Sequence, residues 1–395
     1  MILTPIQQAD QICIIVQHRL TSYLPAGLQS IANVILSVIA IVLVFALLFA
    51  VTTVLERKGL GRIQNRYGPN RVGPAGFFQP LADGVKSLTK EDLVPRTADQ
   101  MVHFMAPVLL VLAAFLAYAV LPVGRNMVLA NLNAGILFFF AVGTLVELAV
   151  FMAGWSSRNK YSLLGAMRAI AQMISYEVPL VLASIVVIMA AGSLSTVSIV
   201  DMQTGYSGIW PHWFVFTPWG FAGFNLFMIA ATAESNRSPF DLPEGESEII
   251  AGYYIEYSGF KFALFFLGEY LGMFATSGLA ITLFLGGWAA PFSFLAWIPS
   301  YLWFFAKLLL LIVIFIWIRG TLPRLRMDQL MSFAWQFMLP MTLINVFVAG
   351  LWHFMPAGVV RWLVCAVVLL IPAFLLSRGL KQGKKFAART YRFAE

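Results

Sequence analysis

The sequence predicts an all-α, polytopic membrane protein, and three observations carry this prediction. Hydrophobic residues make up 60% of the 395 residues and charged residues only 11%, whereas a soluble chain of this length needs far more surface charge. Nine stretches meet or approach the length of about 20 apolar residues that a helix needs to cross a bilayer. These stretches lack the polar–apolar alternation of membrane β-barrel strands, which leaves helices as the spanning structure.

The predicted spans form one membrane domain between two flanking segments. We expect residues 1–30 to be an N-terminal interfacial segment, residues 31–376 a single membrane domain and residues 377–395 a basic tail. The first segment has no basic region followed by a long apolar run, so we expect no cleavable signal peptide. The nine predicted spans are 31–55, 104–121, 134–154, 163–191, 213–233, 251–285, 297–318, 333–351 and 359–376.

The basic residues predict which side of the membrane each loop occupies. With nine spans and the N-terminus outside, 22 of the 26 Lys and Arg residues fall on the inner side and three on the outer side, while Lys307 lies within a span. This bias agrees with the positive-inside rule. Because the charge follows the membrane sides instead of forming one patch, we expect contact with anionic lipid and no nucleic-acid binding.

Residues that hold metals or nucleotides are scarce. Cys13 and Cys365 are the only cysteines, and the four histidines are scattered singly. This disfavours a disulfide framework, an iron–sulfur cluster or another metal site. No Gly-rich phosphate loop lies between a strand and a helix. We therefore expect no bound metal, flavin or iron–sulfur cluster in this chain.

The first inner loop, residues 56–102, is rich in Arg, Gly and Pro. Its glycines and prolines indicate specific turns and close backbone approaches. A short amphipathic helix is predicted behind them, since apolar residues recur at helical spacing. A surface linker is the alternative, but the density of turn residues favours a packed docking surface. The apolar residues of this helix are Phe77, Phe78, Leu81, Val85 and Leu88.

The third inner loop is acidic on a side of the membrane where basic residues dominate. Its acids lie among prolines, isoleucines and tyrosines, with Arg237 as the one base. A solvated acidic loop is the alternative interpretation. Clustered carboxylates in a region of low dielectric repel one another and lose hydration, so they titrate as a coupled set, as a proton relay requires. The acids are Glu234, Asp241, Glu244, Glu246, Glu248 and Glu256.

Three further acids lie within predicted spans, namely Glu147, Glu177 and Glu269. A charged group near mid-bilayer costs roughly 2.5–3.5 kcal/mol unless it faces a polar interior, so such acids are functional candidates. An interhelical hydrogen bond from a protonated Glu is the structural alternative, and it is most competitive for Glu147. Lys307, the one cation within a span, is the expected partner of one of these acids.

Long segments of the chain resemble one family throughout. The segments are LERKGLGRIQNRYGPNRVGPAGFFQPLADGVKSLTKE, AGWSSRNKYSLLGAMRAIAQMISYE, AESNRSPFDLPEGESEIIAGYYIEYSG, FALFFLGEY and IRGTLPRLRMDQLMSFAWQFMLPMTLIN. In this order they resemble the H subunit of bacterial NADH:quinone oxidoreductase (respiratory complex I), which is subunit 1 in mitochondria. They cover roughly residues 55–345. The resemblance implies a membrane subunit of a proton-pumping enzyme that carries no redox centre of its own.

The resemblance also implies roles for individual residues. A quinone tunnel would be lined by Arg57, Asp83, Phe266 and Arg319, with ubiquinone or menaquinone as the substrate. Inner loops and partner subunits would be held, or the acids tuned, by Arg66, Arg71, Arg237 and Arg324, with Lys307 as a further electrostatic residue. A proton-coupling path would run through Glu234, Glu244, Glu246, Glu248 and Glu256 to Glu177 and Glu269, with Asp241 nearby.

The implied partners are the other subunits of the complex. They are the peripheral-arm subunits that carry the terminal iron–sulfur cluster and the small membrane subunits that lead to the antiporter-like subunits. The implied location is the bacterial inner membrane, in contact with membrane lipid, with a periplasmic N-terminus and a cytoplasmic C-terminus. The ninth span carries no implied catalytic role, and Glu147 matches no functional acid of the family.

The sequence leaves two other classes of membrane protein open. A membrane subunit of an energy-converting hydrogenase would share the fold and the acidic loop but lack quinone chemistry. The complete Arg/Gly/Pro loop and the FFLGEY segment favour the quinone enzyme. A free-standing transporter would show internal repeats with paired broken helices, and the sequence shows none.

Overall fold

The computed structural model describes residues 10–208, 210–241 and 251–381. Within these ranges the chain is helical apart from short turns, connecting loops and one β-hairpin, in which β1 Tyr206–Ser207 pairs with β2 Trp210–Pro211. The helices are α1 Ile12–Thr21, α2 Ala26–Ile63, α3 Gln79–Thr89, α4 Gln100–Ala117, α5 Gly135–Ser156, α6 Lys160–Ala191, α7 Thr196–Gln203, α8 Pro218–Glu234, α9 Gly259–Phe284, α10 Ser300–Thr321, α11 Met327–Phe354 and α12 Val359–Lys381.

The long helices confirm the prediction of an all-α polytopic membrane protein. Eight helices of the described part have the length and apolar composition to cross a membrane. The one remaining predicted span, residues 213–233, corresponds to α8, which has 17 residues. Each predicted span therefore coincides with one long helix, and α11 contains a short π-helical turn at Ala334–Met338.

Two predicted spans begin well before their helices. Helix α9 begins at Gly259 and not at 251, because Gly252 and Gly259 both have positive φ and interrupt a helix that the apolar composition favours. Helix α8 begins at Pro218 and not at 213. Proline suits the first helical position, and the Thr217 hydroxyl caps this helix by accepting a bond from Gly220 N at 3.1 Å.

Hydrogen bonds gather the connecting segments at two ends of the bundle. We call the end formed by residues 64–99, 157–159, 235–241, 251–258 and 322–326 the loop end. The opposite end, formed by residues 118–134, 192–208, 210–217 and 285–299, is called the hairpin end. At the loop end, the bonds include Asp99 N to Ser156 O at 3.0 Å, Leu93 N to Ser258 Oγ at 2.9 Å and Leu325 N to Pro239 O at 3.1 Å. At the hairpin end, they include Thr196 Oγ1 to Val120 O at 2.7 Å and Tyr206 OH to Ala290 O at 2.9 Å.

Small residues let the central helices approach one another closely. Ala166, Ala183 and Ala230 on α6 and α8 are fully buried. A Cβ added to Gly165 on α6 would lie 2.6 Å from Gly252 Cα, so only glycine fits there. Such contacts are typical of membrane helix packing, where small side chains bring backbones together. They place the short turn Gly252–Tyr254 directly against α6.

The amphipathic helix predicted for the first inner loop is present as α3. No residue of α3 is buried in this chain, and Leu81 is 70% exposed. The preceding loop folds tightly on the end of α2: Lys58 Nζ donates to Ala75 O at 2.5 Å, and a Cβ on Gly68 would lie 2.8 Å from Lys58 Cα. The Gly-rich sequence is therefore explained by close backbone approach.

Helix α1 folds back on the rest of the bundle. Gln17 Nε2 donates to Asn33 O at 2.8 Å, and Asp10 Oδ1 accepts from Ser300 N at 2.7 Å. The N-terminal segment therefore contains a helix, while its place at the membrane surface stays a prediction. Most of the predicted basic tail lies outside the described residues, which end at Lys381.

Candidate functional site

The described acid with the most charged partners is Glu56, near the loop end of α2. Its side chain is buried among three other segments. Arg319 on α10 donates to Oε1, and the Tyr270 hydroxyl on α9 donates to Oε2. Arg237 Nη1, from the turn after α8, lies 3.7 Å from Oε1. We call Glu56, Arg237, Tyr270 and Arg319 the Glu56 cluster.

The Glu56 cluster is arranged to hold one negative charge out of water. A buried carboxylate is tolerated when it is paired and hydrogen-bonded, and here two guanidinium groups share it. The Arg237 guanidinium also lies 3.8 Å from the centre of the Tyr270 ring, in a cation–π contact. A cavity of about 10 Å³ beside Glu56, Arg237 and Arg319 has room for about one water molecule. A change of charge on Glu56 therefore acts on both arginines at once.

The predicted tunnel residues Arg57 and Asp83 lie next to each other. Arg57 Nη1 is 2.5 Å from Asp83 Oδ2, and Gln79 Nε2 donates to Asp83 Oδ1 at 3.0 Å. Consecutive residues of a helix point about 100° apart, so Glu56 faces the interior while Arg57 faces α3. The Arg57 side chain is 51% exposed in this chain.

The other two predicted tunnel residues lie on different sides. Phe266 packs on Phe262 and stacks on Tyr254, with ring centroids 4.8 and 5.9 Å apart. Arg319 joins the Glu56 cluster rather than the Arg57–Asp83 pair. Two larger cavities, of about 420 and 610 Å³, are apolar grooves between long helices and are lined by none of the predicted site residues.

A second acid group lies deeper in the bundle, on α5, α6 and α8. The charges of Glu147, Glu177 and Glu234 are close enough to act on one another. Glu234 is the last residue of α8, and its Oε2 is buried with no hydrogen-bond partner in the part of the chain that the structure describes. Glu147, whose role the sequence left open, therefore lies near Glu177 and Glu234, two acids of the predicted path.

A cavity of about 60 Å³ connects Glu234 with Glu269 on α9. Its other walls include Met173, Asn236 and Thr276. This space has room for several waters, and a polar cavity with unsatisfied oxygens is the kind that holds water. Glu269 also accepts a bond from Tyr253 OH at 3.2 Å and one from Tyr254 OH.

Glu256 and Asp241 have partners of their own at the loop end. Asn159 Nδ2 donates to Glu256 Oε1 at 2.7 Å. Arg324 Nη2 lies 2.6 Å from Asp241 Oδ2, and the Asp241 side chain is 5% exposed. The Asp241–Arg324 pair joins the turn after α8 to the loop before α11.

Tyr257 lies between Glu256 and the first turn of α4. Its ring stacks on His103 with centroids 3.9 Å apart, and its hydroxyl lies 3.3 Å from Ser156 Oγ. Burial raises the pKa of Tyr257 to about 12, although the Ser156 bond opposes this. The hydroxyl is therefore protonated at neutral pH.

The prediction that Lys307 pairs with an acid was wrong. Its ammonium donates to the carbonyls of Leu285, Gly287 and Ala289 at 2.7, 2.8 and 2.7 Å. All three of its N–H donors are thereby used, and the ammonium lies over the Trp213 ring at 4.2 Å. Lys307 thus holds the loop after α9 at the hairpin end.

The remaining predicted residues divide into two exposed arginines and three acids beyond the described ranges. Arg66 is exposed and donates to Gln64 Oε1 at 2.7 Å, and Arg71 is exposed beside the same loop. Glu244, Glu246 and Glu248 lie outside the described residues. Among the residues that are described, no three His, Cys, Asp or Glu side chains are grouped so that they could hold a metal ion.

Glu56 and Tyr270 were not among the residues predicted from the sequence. Glu56 directly follows a predicted span and begins a charged loop, which is typical of a surface residue. A signal was nevertheless available. Phe45, Thr52 and Glu56 are spaced by seven and four residues, so they share one face of α2, and all three are buried.

Comparisons with known proteins identify the family. A sequence profile of the NADH dehydrogenase family matches residues 36–350. The chain is 45% identical over 331 residues to the H subunit of the NADH-quinone oxidoreductase of Burkholderia ambifaria, and the match covers 82% of this chain and 92% of that protein. It is 49% identical over 296 residues to the protein of the same name from Dehalococcoides mccartyi, covering 75% of this chain and 80% of that protein. The chain therefore belongs to the NADH dehydrogenase family.

Proposed function

We propose that this chain is the membrane subunit of a proton-pumping NADH:quinone oxidoreductase that forms part of the quinone tunnel and couples quinone reduction to proton movement. The names of its relatives support the enzyme class. The observation that carries the coupling role is the Glu56 cluster, in which one buried carboxylate is shared by two arginines. This cluster lies one residue from Arg57, and thus directly behind the proposed tunnel wall.

Quinone reduction consumes two electrons and two protons, so charge near the tunnel changes during each turnover. Arg319 is one third exposed while its guanidinium contacts buried Glu56, so it links the tunnel side to the interior. Protonation of Glu56 would weaken its hold on Arg319 and Arg237, because the Coulomb attraction disappears with the charge. In this proposal, the Glu56 cluster converts a charge change in the tunnel into a movement of Arg237.

The carboxylate path would begin three residues before Arg237. Glu234 ends the helix that leads into the Arg237 turn, and its cavity reaches Glu269. The charges of Glu177 and Glu147 act on Glu234, so a proton gained or lost at one of these acids shifts the balance at the others. We expect Glu244, Glu246, Glu248 and Glu256 to feed this path from the loop end, with Asp241 as a fixed charge beside it.

The loop end is the proposed cytoplasmic side and the surface for partner subunits. The Arg57–Asp83 pair is partly exposed, and α3 presents Leu81, Val85 and Leu88 unburied in this chain. A peripheral-arm subunit that carries the terminal iron–sulfur cluster would cover them and complete the tunnel. Small membrane subunits would continue the acid path within the bacterial inner membrane, where lipid surrounds the long helices.

The test is the purified enzyme carrying Glu56→Gln in this subunit. We expect NADH:quinone reductase activity to fall about tenfold or more, which is the size of effect that a group worth at least ~1.4 kcal/mol has on a rate. NADH oxidation by an artificial acceptor that takes electrons from the peripheral arm should be unchanged. If quinone reduction by an assembled Glu56→Gln enzyme matched that of the unmodified enzyme, the proposal for the Glu56 cluster would be wrong.

A further inference from the structure

Gln172 on α6 binds both ends of the turn that carries Arg237. Its side chain is fully buried. Nε2 lies 2.7 Å from Ala233 O and 2.6 Å from Phe240 O, and a weaker contact joins it to Asn236 Oδ1 at 3.3 Å. One amide group therefore spans the whole segment from the end of α8 to the residue before Asp241.

The orientation of this amide follows from its surroundings. Backbone carbonyls only accept hydrogen bonds, so the end that faces Ala233 O and Phe240 O must be the NH₂ group. The two short contacts use both of its hydrogens. Within the described residues, Oε1 of Gln172 is buried without a hydrogen-bond partner. The Gln172 side chain thus only donates hydrogen bonds to the turn. A residue that served packing alone would not need two such short bonds.

The residues between the two anchored carbonyls include both groups that the proposed path needs. Glu234 directly follows Ala233, and Arg237 contacts Glu56 from the middle of the turn. Asn236 between them has a φ of +50°, so the backbone reverses there. Because one Gln172 amide binds the carbonyls on both sides of Arg237, it links them to each other. A displacement of Arg237 therefore also shifts the backbone that carries Glu234.

We propose that Gln172 is a positioning residue that makes Glu234 and Arg237 move together, so that a charge change at Glu56 reaches the acid path. This inference rests on the proposed function. The role proposed for Gln172 differs from a role in folding alone, because the end of the turn at Pro239 and Asp241 has its own anchors. Leu325 N donates to Pro239 O at 3.1 Å, and Arg324 binds Asp241. We therefore expect the turn to keep its place when Gln172 is replaced.

The experiment uses the whole enzyme with Gln172→Leu, reconstituted in liposomes, and measures protons translocated per NADH oxidised. Leucine keeps most of the volume but donates no hydrogen bond. We expect this ratio to fall about twofold or more, as for residues that carry coupling between sites. The uncoupled NADH:quinone reductase rate and the apparent KM for quinone should stay within about twofold of the unmodified enzyme. An unchanged proton ratio would overturn the inference.

Tyr176→Phe is the matched control, since Tyr176 is also fully buried on α6. Its hydroxyl donates to Leu330 O at 3.0 Å, which anchors α11 and not the Arg237 turn. We expect Tyr176→Phe to keep the proton ratio. If both variants lowered the ratio equally, Gln172 would be one packing contact among many and the inference would fail. Gln172→Met, which also donates no bond, replaces Gln172→Leu should the branched side chain prevent assembly.

A double variant separates this inference from the proposed function. If Gln172 acts through Glu234, then Gln172→Leu added to Glu234→Gln lowers the proton ratio no further than Glu234→Gln alone. Additive losses would contradict the inference. A Glu56→Gln enzyme that reduces quinone and pumps normally would instead remove the proposed function itself, whatever the Gln172 variant does.

Discussion

Glu56 on α2 and Arg319 on α10 form an ion pair that links these two helices across 263 positions of sequence. The carboxylate is 7% exposed and the guanidinium 33%, so the pair lies where the bundle interior meets the loop end. Tyr270 and Arg237 complete the ring of partners around the same carboxylate. This arrangement places a shared, buried charge immediately beside the Arg57–Asp83 pair.

Arg319→Gln tests whether this arginine lines the proposed quinone tunnel in addition to pairing with Glu56. The change removes the positive charge and leaves Glu56 with Arg237 and Tyr270. We expect the apparent KM for quinone to rise and inhibitors of the quinone site to bind about tenfold more weakly, the effect of losing about 1.4 kcal/mol of interaction. Steady-state kinetics with a soluble quinone measures both.

Arg66→Gln is the control for Arg319→Gln, because Arg66 is an exposed arginine of the same end with a local Gln64 partner. We expect it to leave the KM for quinone unchanged. An unaltered KM and an unaltered inhibitor affinity in the Arg319→Gln enzyme would contradict the proposal that Arg319 lines the quinone tunnel.

Arg324→Gln should destabilise the turn after α8 more than the double change Arg324→Gln with Asp241→Asn. Removing one partner leaves Asp241 buried and charged, at a cost of about 3–5 kcal/mol for a fully buried pair. The cost is smaller here because Arg324 is 42% exposed. The amount of subunit in purified complex and the thermal inactivation temperature of that complex measure the difference. Equal losses in the single and double variants would show that the ion pair does not hold this turn.

Gly165→Ala should displace the turn Gly252–Tyr254 from α6. The new Cβ would lie 2.6 Å from Gly252 Cα, and backbone cannot yield as a flexible side chain does. We expect loss of the Tyr253 and Tyr254 bonds to Glu269 and a lower yield of assembled, active complex. Gly350→Ala on α11 is the control, since nothing lies within 4 Å of its added Cβ. A Gly165→Ala complex as stable and active as Gly350→Ala would contradict the observed packing.

The sequence predicted the spans well because hydropathy is local. The long helices can be recognised from their own apolar residues, and α3 can be recognised from the helical spacing of its apolar residues. The segment 251–258 was misassigned to a span because its tyrosines and isoleucine count as apolar, while the positive φ of Gly252 and Gly259 is set by the close approach of other segments. Composition alone does not show which segments approach one another in the fold.

The pairing of charges could be predicted only in part. The placement of Arg57 with Asp83 was implied by family resemblance, whereas the partners of Glu56 come from three other segments of the fold. Lys307 was assigned an acid partner because it is the one cation within a predicted span, yet backbone carbonyls accept all three of its hydrogen bonds. The meeting of Glu147 with Glu177 and Glu234 depends on how α5, α6 and α8 pack, which no one span reveals.

Glu234 is the residue at which the turn that carries Arg237 meets the proposed acid path. The decisive measurement is the number of protons translocated per NADH by purified enzyme in liposomes, with Glu234→Gln compared with Asp328→Asn, a change of an exposed acid on α11. We predict that Glu234→Gln lowers this number about twofold or more while the artificial-acceptor rate is kept, and that Asp328→Asn changes neither. A fully assembled Glu234→Gln enzyme that translocates as many protons per NADH as the unmodified enzyme would contradict the proposed coupling path.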